Sequence, residues 1–385
     1  MNSRSLSRLS EYKEGENATD IEVVSNKPIV GTRVEGVCDQ PISGTEVEGV
    51  GDRLIAGTEV EGVCDQPIVG TGESAEYIGI DMDRFAQKVV KALKTHYREG
   101  YSIRISKQQK NNNIIMTGVL IANEKNNVVP SIYLEDYLER YNQGMSLNMI
   151  VQSIIRRREE ADVGTEIDMS FYTDYEKVRD KLTVKLINTS LNDTLLDRVP
   201  HIDYLDLSIV FIVMINNDHI NGGSVLIDND HLKAWGKSLE ELYEDAVKNS
   251  VQVNPLKVEN IIDIMKRQYM EHMRNSKEYS SFHDLIPNED IPMYVVSNES
   301  GCFGASAILY PGVLNGLGEK YGDYYIIPSS VHELIIVPEE ACDNRSVDLN
   351  SMINEVNTDV LKVYDILSDH AYYYDHSAGE VSIID

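Results

Sequence analysis

Apolar positions recur at helical spacing in some stretches of this chain and at strand spacing in others. From 83 to about 97, Phe85, Val89, Val90 and Leu93 fall on one face, with Lys and Arg on the other. This predicts an amphipathic helix, which Gly100 stops. Residues 101–106 and 114–121 read as an antiparallel pair across the polar turn 107–113. Residues 130–144 start extended and turn helical, and Ser146 caps a second helix to about Glu159. The stretch 174–182 is charged and helical at its start. Residues 182–188, 207–215 and 223–227 read as strands, with a turn-rich hairpin loop at 216–223. Ser238 and Glu241 form a capping box for a helix to about Asn249, and 258–274 is a further helix. After a polar connector at 275–292, strands are expected at 293–297 and 305–309. A helix at 311–321 opens on Pro311, where a missing N–H costs nothing. Another helix is expected at 346–361, and a last edge strand at 371–374.

The most apolar stretch is 324–338. It reads as two strands around a Pro328-Ser329-Ser330 corner, with His332 and Glu333 opening the second strand. Short strands and helices thus come in clusters, without regular βαβ alternation. The expected class is α+β, with short antiparallel strands and packed helices. Three units are expected: a helix-hairpin-helix unit at 78–160, a second α+β unit at 161–275 and a C-terminal one at 276–385.

Residues 1–77 carry a tandem repeat of period 13, with copies starting at Gly31, Gly44 and Gly57 and a truncated one at Gly70. Each copy is rich in glycine and holds no aromatic residue. So little apolar surface cannot offset chain entropy, and a flexible acidic tail is expected. An adhesive array or a short β-solenoid of stacked copies is the other reading, and the Val/Glu alternation also allows strand pairing with a partner.

The chain has 385 residues and a formal net charge of −28. A nucleic-acid binder needs a basic stripe, and an anionic membrane would repel this charge; neither partner is expected. The four cysteines, Cys38, Cys64, Cys302 and Cys342, form no C-x-x-C pair. That fits reduced thiols in a cytosol better than zinc or disulfide scaffolds. The first ten residues lack an apolar signal core, and no run reaches a membrane span. A cytoplasmic protein is expected.

No phosphate loop, dinucleotide fingerprint or Gly-x-Ser-x-Gly elbow is present, so no cofactor is expected. His332-Glu333 lacks a second histidine at helical spacing, which argues against a metal site; His370 and His376 could reach it only through the fold. Ser330 and His332 could share one strand face, and with Glu333 they form the candidate catalytic set. The structural reading of the same residues is turn chemistry at a corner. Arg156-Arg157-Arg158 is the one dense basic run; it offers phosphate binding or, more simply, cations at a helix C-terminus. Trp235 reads as a packed anchor.

Five blocks carry a resemblance: Val129-Pro-Ser-Ile-Tyr-Leu-Glu-Asp-Tyr137, His231-Leu-Lys-Ala-Trp-Gly-Lys-Ser-Leu-Glu-Glu-Leu-Tyr243, Met293-Tyr-Val-Val-Ser-Asn298, Ala307-Ile-Leu-Tyr-Pro-Gly-Val-Leu314 and Tyr325-Ile-Ile-Pro-Ser-Ser-Val-His-Glu333. Over about 80–375 the chain resembles an uncharacterised bacterial family, the domain of unknown function numbered fifty-six eighty-eight. The resemblance implies a bacterial, cytosolic protein and brings no activity with it. The leading expectation is a non-catalytic binding or interaction protein with a protein partner. A hydrolase using Ser330, His332 and Glu333 is the second, and an acidic decoy of nucleic acid the third. Oligomeric state is left open.

Overall fold

The computed structural model describes residues 19–23, 34–35, 80–97, 99–123, 128–160, 174–215, 223–275, 292–342 and 349–384. Two short strands come first, β1 (Thr19–Val23) and β2 (Val34–Glu35). Next are α1 (Met82–His96), β3 (Tyr101–Gln109), β4 (Ile115–Asn123), β5 (Val128–Tyr133), α2 (Glu135–Asn142) and α3 (Leu147–Glu160). Then follow α4 (Tyr175–Val178), β6 (Leu182–Asn188), α5 (Asp193–Leu196), β7 (His201–Tyr204), β8 (Leu207–Ile215), β9 (Gly223–Leu226), α6 (Asn229–Trp235) and α7 (Leu239–Val253). The last block is β10 (Leu256–Asn260), α8 (Ile261–Asn275), β11 (Tyr294–Asn298), α9 (Val313–Tyr321), β12 (Tyr324–Ser330), β13 (Glu333–Pro338), α10 (Leu349–Asp359), β14 (Tyr372–Asp375) and β15 (Glu380–Ile383).

The strands make three antiparallel sheets, and the class is α+β. The first sheet has the order β1-β5-β4-β3. Its apolar face, with Val119, Ile121 and Ile132, packs on Phe85, Val89 and Leu93 of α1 and Ile150 and Ile154 of α3. Asp81 caps α1 by accepting from the Arg84 N–H at 2.9 Å. The second sheet runs β2-β9-β8-β6, with β7 alongside the first half of β8. The third runs β10-β11-β13-β12-β14-β15.

The second and third sheets share one hydrophobic core. Leu182, Val184, Phe211 and Val213 from one meet Val296, Ile326, Leu334 and Ile336 from the other. Their outer faces are covered too. Ile327, Ile335 and Val337 turn the other way, onto Ile261 of α8 and Ile353 of α10. Val210, Ile212 and Met214 pack on Leu195, Leu196 and Val199. Strands buried on both faces favour apolar residues at nearly every position, which is why 209–215 and 334–337 are unbroken apolar runs. β6 ends its sheet, yet all seven of its residues are buried. β10 ends the third sheet with all five residues only half-buried.

Several expectations change. Residues 305–309 form a 3-10 turn, Gly304–Leu309, not a strand. Their small side chains let the backbone coil tightly and bury Ala305, Ala307 and Ile308. The helix expected from 258 begins at Ile261, because Val258 pairs with Val296 and the Asn260 side chain accepts from the Ile262 N–H at 2.8 Å. Pro328, Ser329 and Ser330 belong to β12 itself, with a register shift between Pro328 and Ser330. The proline is tolerated because β14 pairs only with 324–326, so no ladder partner waits on that side of Pro328. β14 is an interior strand, and β15 takes the edge. In the tail, β1 pairs with β5 and β2, inside the first repeat copy, pairs with β9. The remaining repeats, the loop at 216–222 and most of the connector lie outside the described residues.

Candidate functional site

The turn between β12 and β13 places His332 where four segments converge. Its ring stacks on Phe303, with centroids 5.6 Å apart and planes 20° from parallel. Phe303 has a left-handed backbone, φ 51°, which a bulky residue adopts only when its surroundings enforce it. The enforcing contacts are at hand. The Phe303 N–H donates to His332 Nδ1 at 3.2 Å, and the Ser297 hydroxyl donates to the His332 carbonyl at 2.8 Å. Lys185, nearly fully buried on β6, sets its Nζ 4.3 Å from the Phe303 ring centroid. On the other side, His332 Nε2 meets Asp365 Oδ1 at 3.3 Å. An Nδ1 that accepts an N–H leaves the proton of the neutral ring on Nε2, directed at Asp365.

Burial pulls the His332 pKa down, but the hydrogen bond and charge of Asp365 outweigh it and raise the imidazole above its ordinary value. Buried Cys302 raises it further, and Lys185 opposes. The Phe303 N–H also opposes, because it needs the Nδ1 lone pair.

The three expected site residues are neighbours, but they do not form a relay. The Ser330 hydroxyl accepts the His332 backbone N–H at 3.1 Å. Glu333 accepts instead from Ser329, at 2.7 Å. Both ring nitrogens of His332 are engaged by Phe303 and Asp365. A serine proton would need one of those nitrogens as its acceptor. The carboxylate that orients the ring is Asp365, 33 residues downstream, and not Glu333.

Asp365 is itself held. It lies in the 3-10 turn Val363–Asp365, and its carbonyl accepts from the Val331 N–H at 2.9 Å. The carbonyls around it are gripped from the first sheet. Asn111 Nδ2 donates to Tyr364 at 2.9 Å, and Asn112 Nδ2 donates to Val363 at 2.8 Å and Ile366 at 2.7 Å. Asn192 completes the clamp. It accepts the Asn112 N–H at 2.7 Å and donates to Asn112 Oδ1 at 2.8 Å. Asn111, Asn112 and Asn192 are all buried. Asn111 and Asn112 lie in the polar turn 107–113 expected from the sequence. Their one local signal is the Asn111-Asn112-Asn113 run, a residue type that tolerates the positive φ seen at 112 and 113.

The remaining candidates have other neighbours. His370 lies with its Nδ1 2.9 Å from Asp369 and 3.7 Å from Asp206. These three could offer atoms to a cation, but Asp206 already accepts from Ser368 and Tyr372. His376 sits beside Gly318 and Tyr374. Arg158 is buried with its guanidinium 5.8 Å from the Tyr101 ring, a packing role. Trp235 packs on Tyr175 and His231, as expected of an anchor. An open apolar groove of about 320 Å³ runs between β10 and α9, lined by residues that include Leu256, Val258, Val313, Leu317 and Tyr321. Among the described residues no helix is long and apolar enough to cross a membrane.

No curated protein matches the chain, and no solved structure does. One family does match, over residues 82–376, which takes in the His332 corner and every described strand except β1, β2 and β15, and leaves out the repeats. The chain therefore belongs to the family of unknown function DUF5688.

Proposed function

We propose that this protein is a non-catalytic binding or interaction protein, with another protein as its partner. One observation carries the reading: the polar set at Ser330, His332 and Glu333 is turned inward, each member engaged in holding the β12–β13 corner. A net charge of −28 argues against nucleic-acid and anionic-membrane partners. Among the described residues Cys302 and Cys342 form no disulfide, in agreement with a reducing bacterial cytosol as its location.

A hydrolase is the second reading, and Asp365 favours it, since an acid beside an imidazole is part of a triad. An activity-based fluorophosphonate separates the two. The full chain is expected to stay unlabelled. Labelling at Ser330 that disappears in Ser330→Ala overturns the non-catalytic reading.

A further inference from the structure

The outer edge of β10 fits a second copy of this chain. β10 is the last strand of the third sheet, and its five residues are half-buried where β12 and β13 are mostly buried. Its inward ladder can be followed from two bonds. The Pro255 carbonyl accepts from the Glu299 N–H at 2.9 Å, and the Ile261 N–H donates to Met293 at 3.0 Å. Antiparallel ladder bonds recur at every second residue, so Lys257 and Glu259 continue this inward set through their partners Ser297 and Val295. Leu256 and Val258 therefore direct their N–H and C=O groups out of the sheet. Among the described residues no strand pairs with these outward groups, and unpaired edge groups are a template for a further strand.

The sequence Leu256-Lys257-Val258-Glu259-Asn260 complements itself when antiparallel. With Val258 opposite Val258 of the second copy, each Lys257 faces a Glu259. This register also makes the Val258 pair the hydrogen-bonded one. The Lys257–Glu259 pairs then take the non-hydrogen-bonded positions, where side chains approach most closely. Moving the register by one step in either direction sets Lys257 against Lys257 or Glu259 against Glu259. Charge thus selects one alignment. Residues opposite each other share a face, so Leu256 and Val258 of both copies meet on the groove side. There they join the two apolar grooves along α9. Lys257 and Glu259, 2.7 Å apart within one chain, meet the partner pair on the other face, where Arg267 also holds Glu259 at 2.6 Å.

From this we infer that the protein forms a two-fold homodimer by β10–β10 pairing, which makes one continuous twelve-stranded antiparallel sheet. The inference is independent of the non-catalytic reading: labelling at Ser330 would leave it standing, and a monomer would leave that reading standing.

The test is sedimentation velocity on the full chain across a dilution series. Wild type is expected at twice 43.4 kDa. V258P removes an outward N–H, which an edge strand tolerates, together with the Val258 side chain's groove contacts, and is expected to be monomeric. K257E and E259K each put like charges across the axis and are expected to dimerise roughly tenfold or more weakly. Mixed together, the two variants present Glu-Val-Glu against Lys-Val-Lys, and a heterodimer is expected to return. A monomeric wild type, a dimer unchanged by V258P and both charge variants, or charge variants that weaken dimerisation without recovering on mixing would each overturn the proposal. Capture of an extended peptide from another protein at this edge by a monomeric chain would count as the first of these results.

Discussion

Two polar turns of this molecule are similar in composition and opposite in appearance. The Asn111–Asn113 turn reads as an ordinary hairpin tip, while the β12–β13 corner, with Ser330, His332 and Glu333, reads as chemistry. In the fold they are two sides of one joint. Asn111 and Asn112 grip the carbonyls of Val363, Tyr364 and Ile366, and Val331 and His332 hold Asp365 in the same segment. A polar side chain takes its role from what packs over it. Residues about 250 positions away in sequence decide that here.

The largest effect is expected at Asn112. Asn112→Ala removes the donor to two carbonyls and the acceptor for Asn192, all in a buried joint. A loss of about 3 kcal/mol is expected in denaturant unfolding. A loss under about 0.5 kcal/mol would return the tip to an ordinary turn. Gly304→Ala tests the other side of the joint. A Cβ there would collide with the Ser297 hydroxyl and lie 2.5 Å from the His332 carbonyl and 2.8 Å from the Asn298 nitrogen. Backbone atoms cannot step aside, so about 2 kcal/mol is expected, measured the same way. Ser330→Ala should cost about 1 kcal/mol, the worth of one hydroxyl acceptor under a backbone N–H. Thermal melting of that variant, compared with Ser329→Ala, shows whether the two serines support the corner equally.

Much of the fold is legible locally. Helix α1 is written in Phe85, Val89 and Leu93 and in the Asp81 cap, and α7 in the Ser238–Glu241 capping box. Strand β8 is legible in its apolar run from 209 to 215, because burial on both faces favours apolar residues, whereas β6 is buried throughout and still carries Thr183, Lys185 and Asn188. What is not legible depends on distant partners. β10 carries a helix-compatible pattern that pairing with β11 overrides. The 304–309 turn is set by the close approach of Gly304 to His332. At the site, Ser330, His332 and Glu333 are adjacent as the sequence suggests. Asp365 and the asparagine clamp carry no local mark, because their roles exist only once three separate segments meet.

The central claim is that the corner's polar residues serve the fold. A double-mutant cycle between His332→Gln and Asp365→Asn, read by denaturant unfolding across pH, tests it most directly. The His332 pKa is raised in the folded protein, so the stability from its charged pair is fully present below the ordinary value of 6.5 and is lost as pH rises through the folded value. A coupling of about 1 kcal/mol is predicted in mild acid, fading in alkali. A coupling of zero at every pH, with both single variants as stable as wild type, would contradict the account.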